Sequence, residues 1–244
     1  MRRFTVQPDQ LAGGRVTFGA DESRHLARVL RLRPGDTVLA TDGAGRDFTV
    51  RLEGLGEAVT GTVVAEAAGA APSPLAVTLI QGVPKGDKLE TIVRAATELG
   101  VARVCPALCE RTIVRLEPAR WRDRARRWQR VAREAAKQCG RAVIPEIEAP
   151  RPLAEWLAAA EPADLSLCLW ESDGAPLARV LAAAVAPRSA IVVIGPEGGL
   201  APAEVETARS HGFTVTSLGP RVLRTETVGP AITAVLQSRF GDLG

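Results

Sequence analysis

Two apolar segments near the carboxyl end of the chain each run directly into a loop rich in glycine and proline. Residues 191–199 read Ile-Val-Val-Ile-Gly-Pro-Glu-Gly-Gly, and residues 218–229 read Leu-Gly-Pro-Arg-Val-Leu-Arg-Thr-Glu-Thr-Val-Gly. A short apolar run that ends in turn residues is typical of a buried strand. Because parallel sheets bind ligands at the loops that follow the carboxyl ends of their strands, the two loops predict one shared ligand pocket.

The second part of the chain alternates between strand and helix patterns, which is typical of a parallel sheet covered on both faces. In the first of its helices, Asp87 and Glu90 have the spacing of a capping box. The predicted strands are 75–81, 101–108, 163–170, 190–194 and 213–218. The predicted helices are 87–99, 118–139, 176–185, 202–211 and 228–240.

The first 66 residues instead contain short strand patterns separated by turns, which predict a small β-barrel or sandwich. These strands are 3–6, 15–18, 37–40, 48–52 and 58–64. One helix, 21–31, is predicted to place Leu26, Val29 and Leu30 on its apolar side. Residues 67–74 are small or proline and uncharged, as in a linker. We therefore expect domains at 1–70 and 75–244.

Positive charge is concentrated in one region of the 244-residue chain. The net charge is +3, but residues 103–141 contain twelve Arg or Lys against four Asp or Glu. This asymmetry favours a polyanionic partner. In helix 118–139, Trp121 and Trp128 lie on an apolar stripe and are interpreted as core residues. The opposite face is a solvated surface that could also contact phosphates, and includes Arg122, Arg126, Arg130 and Arg133.

Several functional classes are disfavoured by composition. The four cysteines lack Cys-x-x-Cys spacing and the chain has only two histidines, so we expect no metal site and interpret the cysteines as small buried hydrophobic residues. The shortage of histidine also disfavours a Ser-His-Asp hydrolase. No segment approaches the roughly 20 apolar residues of a membrane span, and the amino terminus lacks a signal-peptide core. A cytoplasmic location is therefore expected.

The two loops differ in the ligands that they could bind. The first has neither a dinucleotide-binding nor a P-loop pattern, and Glu197 would repel a pyrophosphate while accepting a neutral or cationic ligand; the alternative is a plain tight turn. The second loop brings Arg221, Arg224 and Glu226 close together in sequence, which fits group transfer onto a nucleic-acid base. Its alternative is an ordinary helix start with Thr225 as the cap and Glu226 pairing with the helix dipole.

Residues 194–200 and 218–227 resemble the two signature loops of the RsmE-type ribosomal RNA methyltransferases, members of the SPOUT superfamily. Matches continue in the same order at 24–31, 85–88, 137–141 and 239–244. The resemblance implies an α/β SPOUT domain, a knotted parallel sheet with a trefoil knot, after an N-terminal PUA-like β-barrel domain that binds RNA. It also implies a homodimer, S-adenosylmethionine as cofactor, and methylation of N3 of a uridine in 16S rRNA of the small ribosomal subunit.

The resemblance places the cofactor at residues of both loops, namely Gly195, Glu197, Gly198, Gly199, Leu218, Gly219, Leu223 and Thr225. The catalytic candidates are Glu226, which would accept the N3 proton, and Arg224, which would stabilise the uracil oxygens. The RNA-binding candidates are Arg24, Arg28, Arg31, Lys85, Lys88 and Arg141.

One local departure from the expected pattern is Gly229-Pro230 in the first turn of the last helix, where proline fits only at the first helical position. The alternative functions are ribose 2′-O methylation and a non-catalytic ribosome assembly factor. Ribose methylation is disfavoured because the match extends through the N-terminal domain.

Overall fold

A computed structural model describes residues 3–244 and divides the chain into two compact units. The first unit combines the chain up to Pro72 with Arg133–Ile144, and the second combines Ser73–Ala132 with Pro145–Gly244. The division after Pro72 falls in the segment interpreted as a linker. No sequence pattern assigned Arg133–Ile144 to the first unit, because a continuous helical pattern runs through Arg133.

Six strands form the sheet of the first unit. They are β1 (Arg3–Thr5), β2 (Leu11–Ala12), β3 (Arg15–Thr17), β4 (Thr37–Thr41), β5 (Arg46–Leu55) and β6 (Val59–Ala68). Their order in the sheet is β1-β4-β5-β6-β3-β2, and β1 and β4 pair in parallel while the other neighbours are antiparallel. Phe4, Phe18 and Phe48 are almost fully buried in its core. Closure of this sheet into a barrel stays a prediction.

The helix of the first unit is irregular. An α-helical turn, α1 (Ala20–Arg24), continues as a π-helical turn over His25–Val29, in which the Leu30 amide bonds to the His25 carbonyl at 2.9 Å. The wider π-turn shifts the later side chains out of α-helical register. Leu26 is buried as predicted, but the prediction that Val29 faces the core is wrong, because its side chain is 67% exposed.

The second unit consists of short strands and the helices that connect them. Its strands are β7 (Ala76–Gly82), β8 (Arg103–Leu108), β9 (Glu146–Ile147), β10 (Arg151–Pro152), β11 (Leu165–Leu169), β12 (Ala175–Pro176), β13 (Ser189–Ile194) and β14 (Thr214–Ser217). Its helices are α2 (Lys88–Glu98), α3 (Pro118–Cys139), α4 (Leu153–Ala158), α5 (Leu177–Ala183), α6 (Pro202–Ser210) and α7 (Thr225–Phe240). Helix α3 belongs to this unit only as far as Ala132.

All the strand pairs described in this sheet are parallel, in the order β10-β8-β7-β13-β11-β14-β12, with β9 also paired to β8. Side chains of β7 alternate between the two faces. Leu79 and Gln81 lie near Ile92 of α2 and Gly229 of α7, whereas Ile80 packs in a core that α4 and α6 complete. The predicted α/β class with a parallel sheet covered on both faces is confirmed.

Two predictions about local structure in this unit need correction, and four short elements were missed. Asp87 is the residue before α2, but its side chain makes no capping hydrogen bond. Arg127 of α3 competes for the same carboxylates, with its Nε 2.8 Å from Glu90 and its Nη2 3.8 Å from Asp87. Helix α7 begins at Thr225 instead of residue 228. The short elements β9, β10, α4 and β12 have too few residues to produce a periodic pattern and were not predicted.

The apolar stripe of α3 is buried as predicted, with Trp121 and Trp128 7% and 3% exposed, but Cys139 at its end is exposed. The other three cysteines are buried. Burial raises the pKa of these thiols to about 12, so they remain protonated and unreactive at neutral pH. Among residues 3–244, no helix combines the length and the apolarity needed to cross a membrane.

Candidate cofactor and catalytic site

A cavity of about 470 Å³ lies at the carboxyl ends of three neighbouring strands of the parallel sheet. The loop after β13 supplies residues 195–200 of its wall, and the loop after β14 supplies residues 218–224. Its volume lies in the range of about 300–1,000 Å³ that is usual for sites of small molecules and cofactors. The two loops that the sequence singled out therefore do meet in one pocket.

A third loop, which the sequence analysis missed, forms another part of the wall. Strand β11 lies between β13 and β14, and Trp170 and Glu171, which follow it, line the cavity. Gly199 has a left-handed backbone with φ +71°, and a Cβ there would lie 2.8 Å from Oε1 of Glu171. The sequence predicted the strand that ends at residue 170, but no local pattern indicates that the loop after it reaches the cavity.

All ten residues predicted for the cofactor and for catalysis line this cavity. Lys88, predicted to bind RNA, lines it too, whereas Lys85 is exposed and lies outside the wall. The remaining RNA-binding candidates belong to the first unit and do not line it; these are Arg24, Arg28, Arg31 and Arg141. The structure thus brings the predicted residues of both loops together in one cavity, and the role of each residue stays a prediction.

A buried hydrogen-bond chain joins the start of α7 to the loop after β13. Gln81, at 0% exposure, donates from Nε2 to Oγ1 of Thr225 at 2.9 Å and to the Gly82 carbonyl at 3.1 Å. Thr225 in turn donates from Oγ1 to the Gly195 carbonyl at 2.7 Å. Thr225 is therefore the first residue of α7 and not its cap, and its hydroxyl holds the two cavity loops together.

The unexpected Gly229-Pro230 pair lies in the second turn of α7. A Cβ on Gly229 would lie 3.2 Å from Oε1 of Gln81 and 3.2 Å from Ile92, so glycine lets the helix pack closely on β7 and α2. Proline has no amide hydrogen, and Pro230 therefore leaves the Glu226 carbonyl without its usual helical donor. Pro230 does not occupy the first helical position considered from the sequence, because the helix starts five residues earlier, at Thr225.

An ion-pair cluster lies on one side of the cavity. The ammonium of Lys88 is 3.0 Å from Oε1 of Glu197 and 3.4 Å from Oε2 of Glu226. Glu197 also accepts a hydrogen bond from the Lys85 amide at 3.0 Å. The Glu226 contact is an ion pair without hydrogen-bond geometry, since Oε2 of Glu226 is buried and accepts no hydrogen bond from any residue between 3 and 244. Oε2 therefore faces the ammonium and not the cavity, while the Glu226 side chain as a whole remains 22% exposed and lines the cavity.

The charges of this cluster stabilise one another. Partial burial alone would raise the pKa of the Glu197 carboxyl, but hydrogen bonds from its own amide, from Lys88 and from the Lys85 amide together lower it. The hydrogen bond to Glu197 raises the pKa of the Lys88 ammonium. A lowered acid pKa and a raised base pKa keep both groups ionised around neutral pH, so that the pair weakens only when strong acid protonates Glu197 or strong base deprotonates Lys88.

Backbone groups of the second loop are available to a ligand. No hydrogen bond joins the amides of residues 218, 219 and 221–223 to any other part of the described chain, and Pro220 between them has no amide hydrogen. The first loop is held in place from outside, because Nη1 of Arg111 donates to the Gly198 carbonyl at 2.8 Å. Free amides beside apolar residues such as Leu218 and Leu223 suit a flat, neutral ring with polar edges. The carboxylates that line the cavity suit a cationic group. These features fit adenosine linked to a sulfonium.

The described part of the chain offers no arrangement of side chains typical of a metal centre. The described residues contain no group of three or more His, Cys, Asp or Glu arranged to hold a metal ion.

Comparison with known proteins identifies the family. A family model described as the RNA methyltransferase domain matches residues 71–237, and one described as the RNA methyltransferase PUA domain matches residues 18–60. The ribosomal RNA small subunit methyltransferase E of Synechocystis sp. is 34% identical over 242 residues, which cover 97% of this chain and 78% of that protein.

Two solved structures have the same fold over the whole chain. The ribosomal RNA small subunit methyltransferase E of Neisseria gonorrhoeae, bound to S-adenosyl methionine, aligns with a TM-score of 0.89 at 32% identity over 100% of both chains. A Legionella pneumophila protein solved with the bound cofactor SAM aligns with a TM-score of 0.92 at 30% identity, over 100% of this chain and 99% of that one. The chain therefore belongs to the RNA methyltransferase family, in the group of ribosomal RNA small subunit methyltransferase E.

Proposed function

We propose that this protein transfers a methyl group from S-adenosylmethionine to N3 of a uridine in the 16S rRNA of the small ribosomal subunit. The observation that carries the proposal is the single cavity formed by both signature loops, in a chain whose relatives are small-subunit rRNA methyltransferases. Since the substrate is ribosomal RNA, the proposed place of action is the cytoplasm.

The cofactor would be held by the residues that line the cavity on its two glycine-rich sides. The free amides of this loop, which exclude Pro220, would bind the adenine edge, while Leu218 and Leu223 would pack on its faces. Glu197 and Glu171 supply negative charge opposite the cationic part of the ligand. When bound, S-adenosylmethionine supplies an electrophilic methyl group on a sulfonium that leaves as a neutral thioether.

The residues of the chain must overcome the poor nucleophilicity of the acceptor nitrogen. Uracil N3 carries a proton at neutral pH, so catalysis requires a group that accepts this proton as the new bond forms. Glu226 lines the cavity, and within residues 3–244 its carboxylate makes one ion pair, from Oε2 to Lys88. Arg224, on the same wall, would stabilise the negative charge that spreads onto the uracil oxygens. The two residues would act together as base and electrostatic stabiliser.

The RNA would also contact the first unit, and we propose residues 1–70 as the RNA-binding domain and 75–244 as the methyltransferase domain. Arg24, Arg28 and Arg31 are exposed in the described part of that domain. Arg24 pairs only loosely with Asp21, at 3.4 Å between exposed side chains. Arg141 and Lys85 complete the proposed contact set with Lys88, although the position of Lys88 supports a different role, developed below.

A double substitution, Arg24→Ala with Arg28→Ala, tests this surface by filter binding to small-subunit rRNA at several salt concentrations. Each arginine that neutralises a phosphate is expected to contribute about 1 to the slope of log K against log salt, so the slope should fall by about 1 for each of the two that is removed. Arg31 is left unchanged so that both substitutions lie within the helical segment, which ends before it. Arg51→Ala removes another exposed arginine of the first unit and serves as the control. An unchanged slope in the double variant would place the RNA elsewhere.

We further propose that the second unit is threaded into a trefoil knot and that the protein is a homodimer. Support for the knot comes from the hydrogen bond of Thr225 to Gly195 and from the backbone contact of Gly82 with the loop after β13.

Support for the dimer comes from Val222, a cavity-lining apolar residue whose side chain is 81% exposed. Light scattering tests the dimer, since a particle of one chain mass would refute it.

Mass spectrometry of nucleosides tests the proposed reaction. Small-subunit rRNA lacking the modification is incubated with the protein and S-adenosylmethionine and digested to nucleosides, and we expect N3-methyluridine as the new product. A methyl group on ribose would instead support 2′-O transfer. No methylated product from either bare rRNA or small subunits, with RNA binding intact, would support the assembly-factor alternative.

A further inference from the structure

Lys88 occupies a central position that RNA binding does not explain. It is the first residue of α2, and its ammonium bridges Glu197 in the loop after β13 and Glu226 in the first turn of α7. Three separate segments of the chain therefore meet at one cation. The next residue, Leu89, is 1% exposed, so the start of α2 is anchored in the core and holds the lysine backbone in place.

The two carboxylates depend on Lys88 to different degrees. Glu197 has a second donor, the Lys85 amide at 3.0 Å, which would remain if the lysine side chain were removed. Glu226 makes no other ion pair within residues 3–244. Removal of the ammonium would therefore loosen the loop carrying Glu197 and leave Glu226 without any partner, free to turn toward solvent.

Lys88 is also poorly suited to contact a phosphate. Its ammonium already lies within 3.4 Å of two carboxylates, and one cation between two anions leaves a local negative charge. A phosphate would have to displace one carboxylate and would be repelled by the other. Arg24 and Arg28 have no such arrangement.

We propose that Lys88 is a positioning residue, which couples the loop that holds the cofactor to the carboxylate that accepts the uridine proton. By holding Glu197, the ammonium orders the loop of residues 195–200. By pairing with the buried Oε2 of Glu226, it keeps the carboxylate at the cavity wall and leaves the other oxygen, Oε1, for the substrate. The part concerning Glu226 rests on the proposed function, whereas the part concerning Glu197 does not.

The main test compares Lys88→Met, which keeps the length of the side chain and removes its charge, with Lys88→Arg, which keeps the charge. Calorimetry with S-adenosylhomocysteine is expected to give a dissociation constant about 3–10-fold higher for Lys88→Met, since one of the two groups that hold the Glu197 carboxylate is removed. Methyl transfer is expected to fall about 10–100-fold in kcat with KM for RNA unchanged, because small displacements of a reacting group are costly. Lys88→Arg should recover a large part of both losses.

Double variants show which carboxylate transmits each effect. With Glu197→Gln already present, Lys88→Met should cause little further loss of cofactor affinity, and with Glu226→Gln present it should cause little further loss of kcat. Arg94→Met removes an exposed cation of α2 that does not line the cavity and serves as the control. Thermal unfolding of each variant checks that the fold is retained.

The outcomes separate this inference from the proposed function. Unchanged cofactor affinity in Lys88→Met, or losses that simply add in the double variants, would overturn the coupling. A change confined to KM for RNA, with a smaller salt dependence of RNA binding, would make Lys88 a phosphate-binding residue instead. If the wild-type protein methylates no uridine N3, the proposed function fails, while the calorimetric cycle of Lys88 and Glu197 still decides the inference.

Discussion

Glu226→Gln is expected to lower kcat for methyl transfer by about 10²–10⁴-fold, the usual contribution of a positioned general base. Glutamine has nearly the shape of glutamate but cannot accept the N3 proton. Cofactor affinity should change little, because Glu226 lies in the first turn of α7 and makes its ion pair at the edge of the cofactor loops. Single-turnover assays with small-subunit rRNA measure the rate, and calorimetry with S-adenosylhomocysteine measures the affinity.

The matched control is Glu206→Gln, which neutralises an exposed carboxylate of α6 that does not line the cavity. It should leave both quantities unchanged. If Glu226→Gln retained kcat within about threefold, the effect would be too small for a general base, and another group would have to accept the proton. A loss of affinity without a loss of kcat would reassign Glu226 to the cofactor.

Gly82→Ala is expected to destabilise the second unit and to abolish cofactor binding. Gly82 ends β7 beside β13, where Gln81 pairs with Ile194, and an added Cβ would lie 2.7 Å from the Gly195 carbonyl carbon and closer still to Pro196. The clash is with backbone, which cannot rotate away as a side chain can. We expect a loss of about 1–3 kcal/mol in the free energy of unfolding, as in overpacked cores, together with outward displacement of the cofactor loop.

Gly56→Ala provides the control for the chemical change itself. A Cβ at Gly56 meets no atom within 4 Å, and its backbone is not left-handed. Urea unfolding followed by circular dichroism measures stability, and calorimetry measures cofactor affinity. If Gly82→Ala bound the cofactor as well as Gly56→Ala does, the close approach of β7 to the loop after β13 would not be needed for the site.

The candidate site was predictable from sequence to the extent that it is built from local patterns. The strand periods and the glycine-rich turns located both loops, whereas the residues assigned to the cofactor, all of which line the cavity, came from the family resemblance. Trp170 and Glu171 were not predicted from the sequence, because their place in the site depends on strand order and not on a local pattern. Their strand, β11, was predicted, but nothing local indicates that it lies between β13 and β14, because strand order in a parallel sheet is set by the crossover connections.

Corrections at individual residues follow from contacts between distant segments. Thr225 has the sequence of a helix cap, but Gln81 and Gly195 recruit its hydroxyl into the first turn of α7. Asp87 and Glu90 have capping-box spacing, but Arg127 takes their carboxylates. In both cases the side chain contacts a partner distant in sequence, which the local spacing does not reveal.

What the amino-acid pattern determined by itself was the fold class, the position of the two loops and the exclusion of the commonest phosphate motifs, since each depends on residues close together in the chain. Only the tertiary structure decided that the loop after β11 completes the wall and that Lys88 lies between Glu197 and Glu226. The physical reason is that an ion pair requires charges a few ångströms apart, and only packing of α2 and α7 against the sheet brings these three residues to that distance.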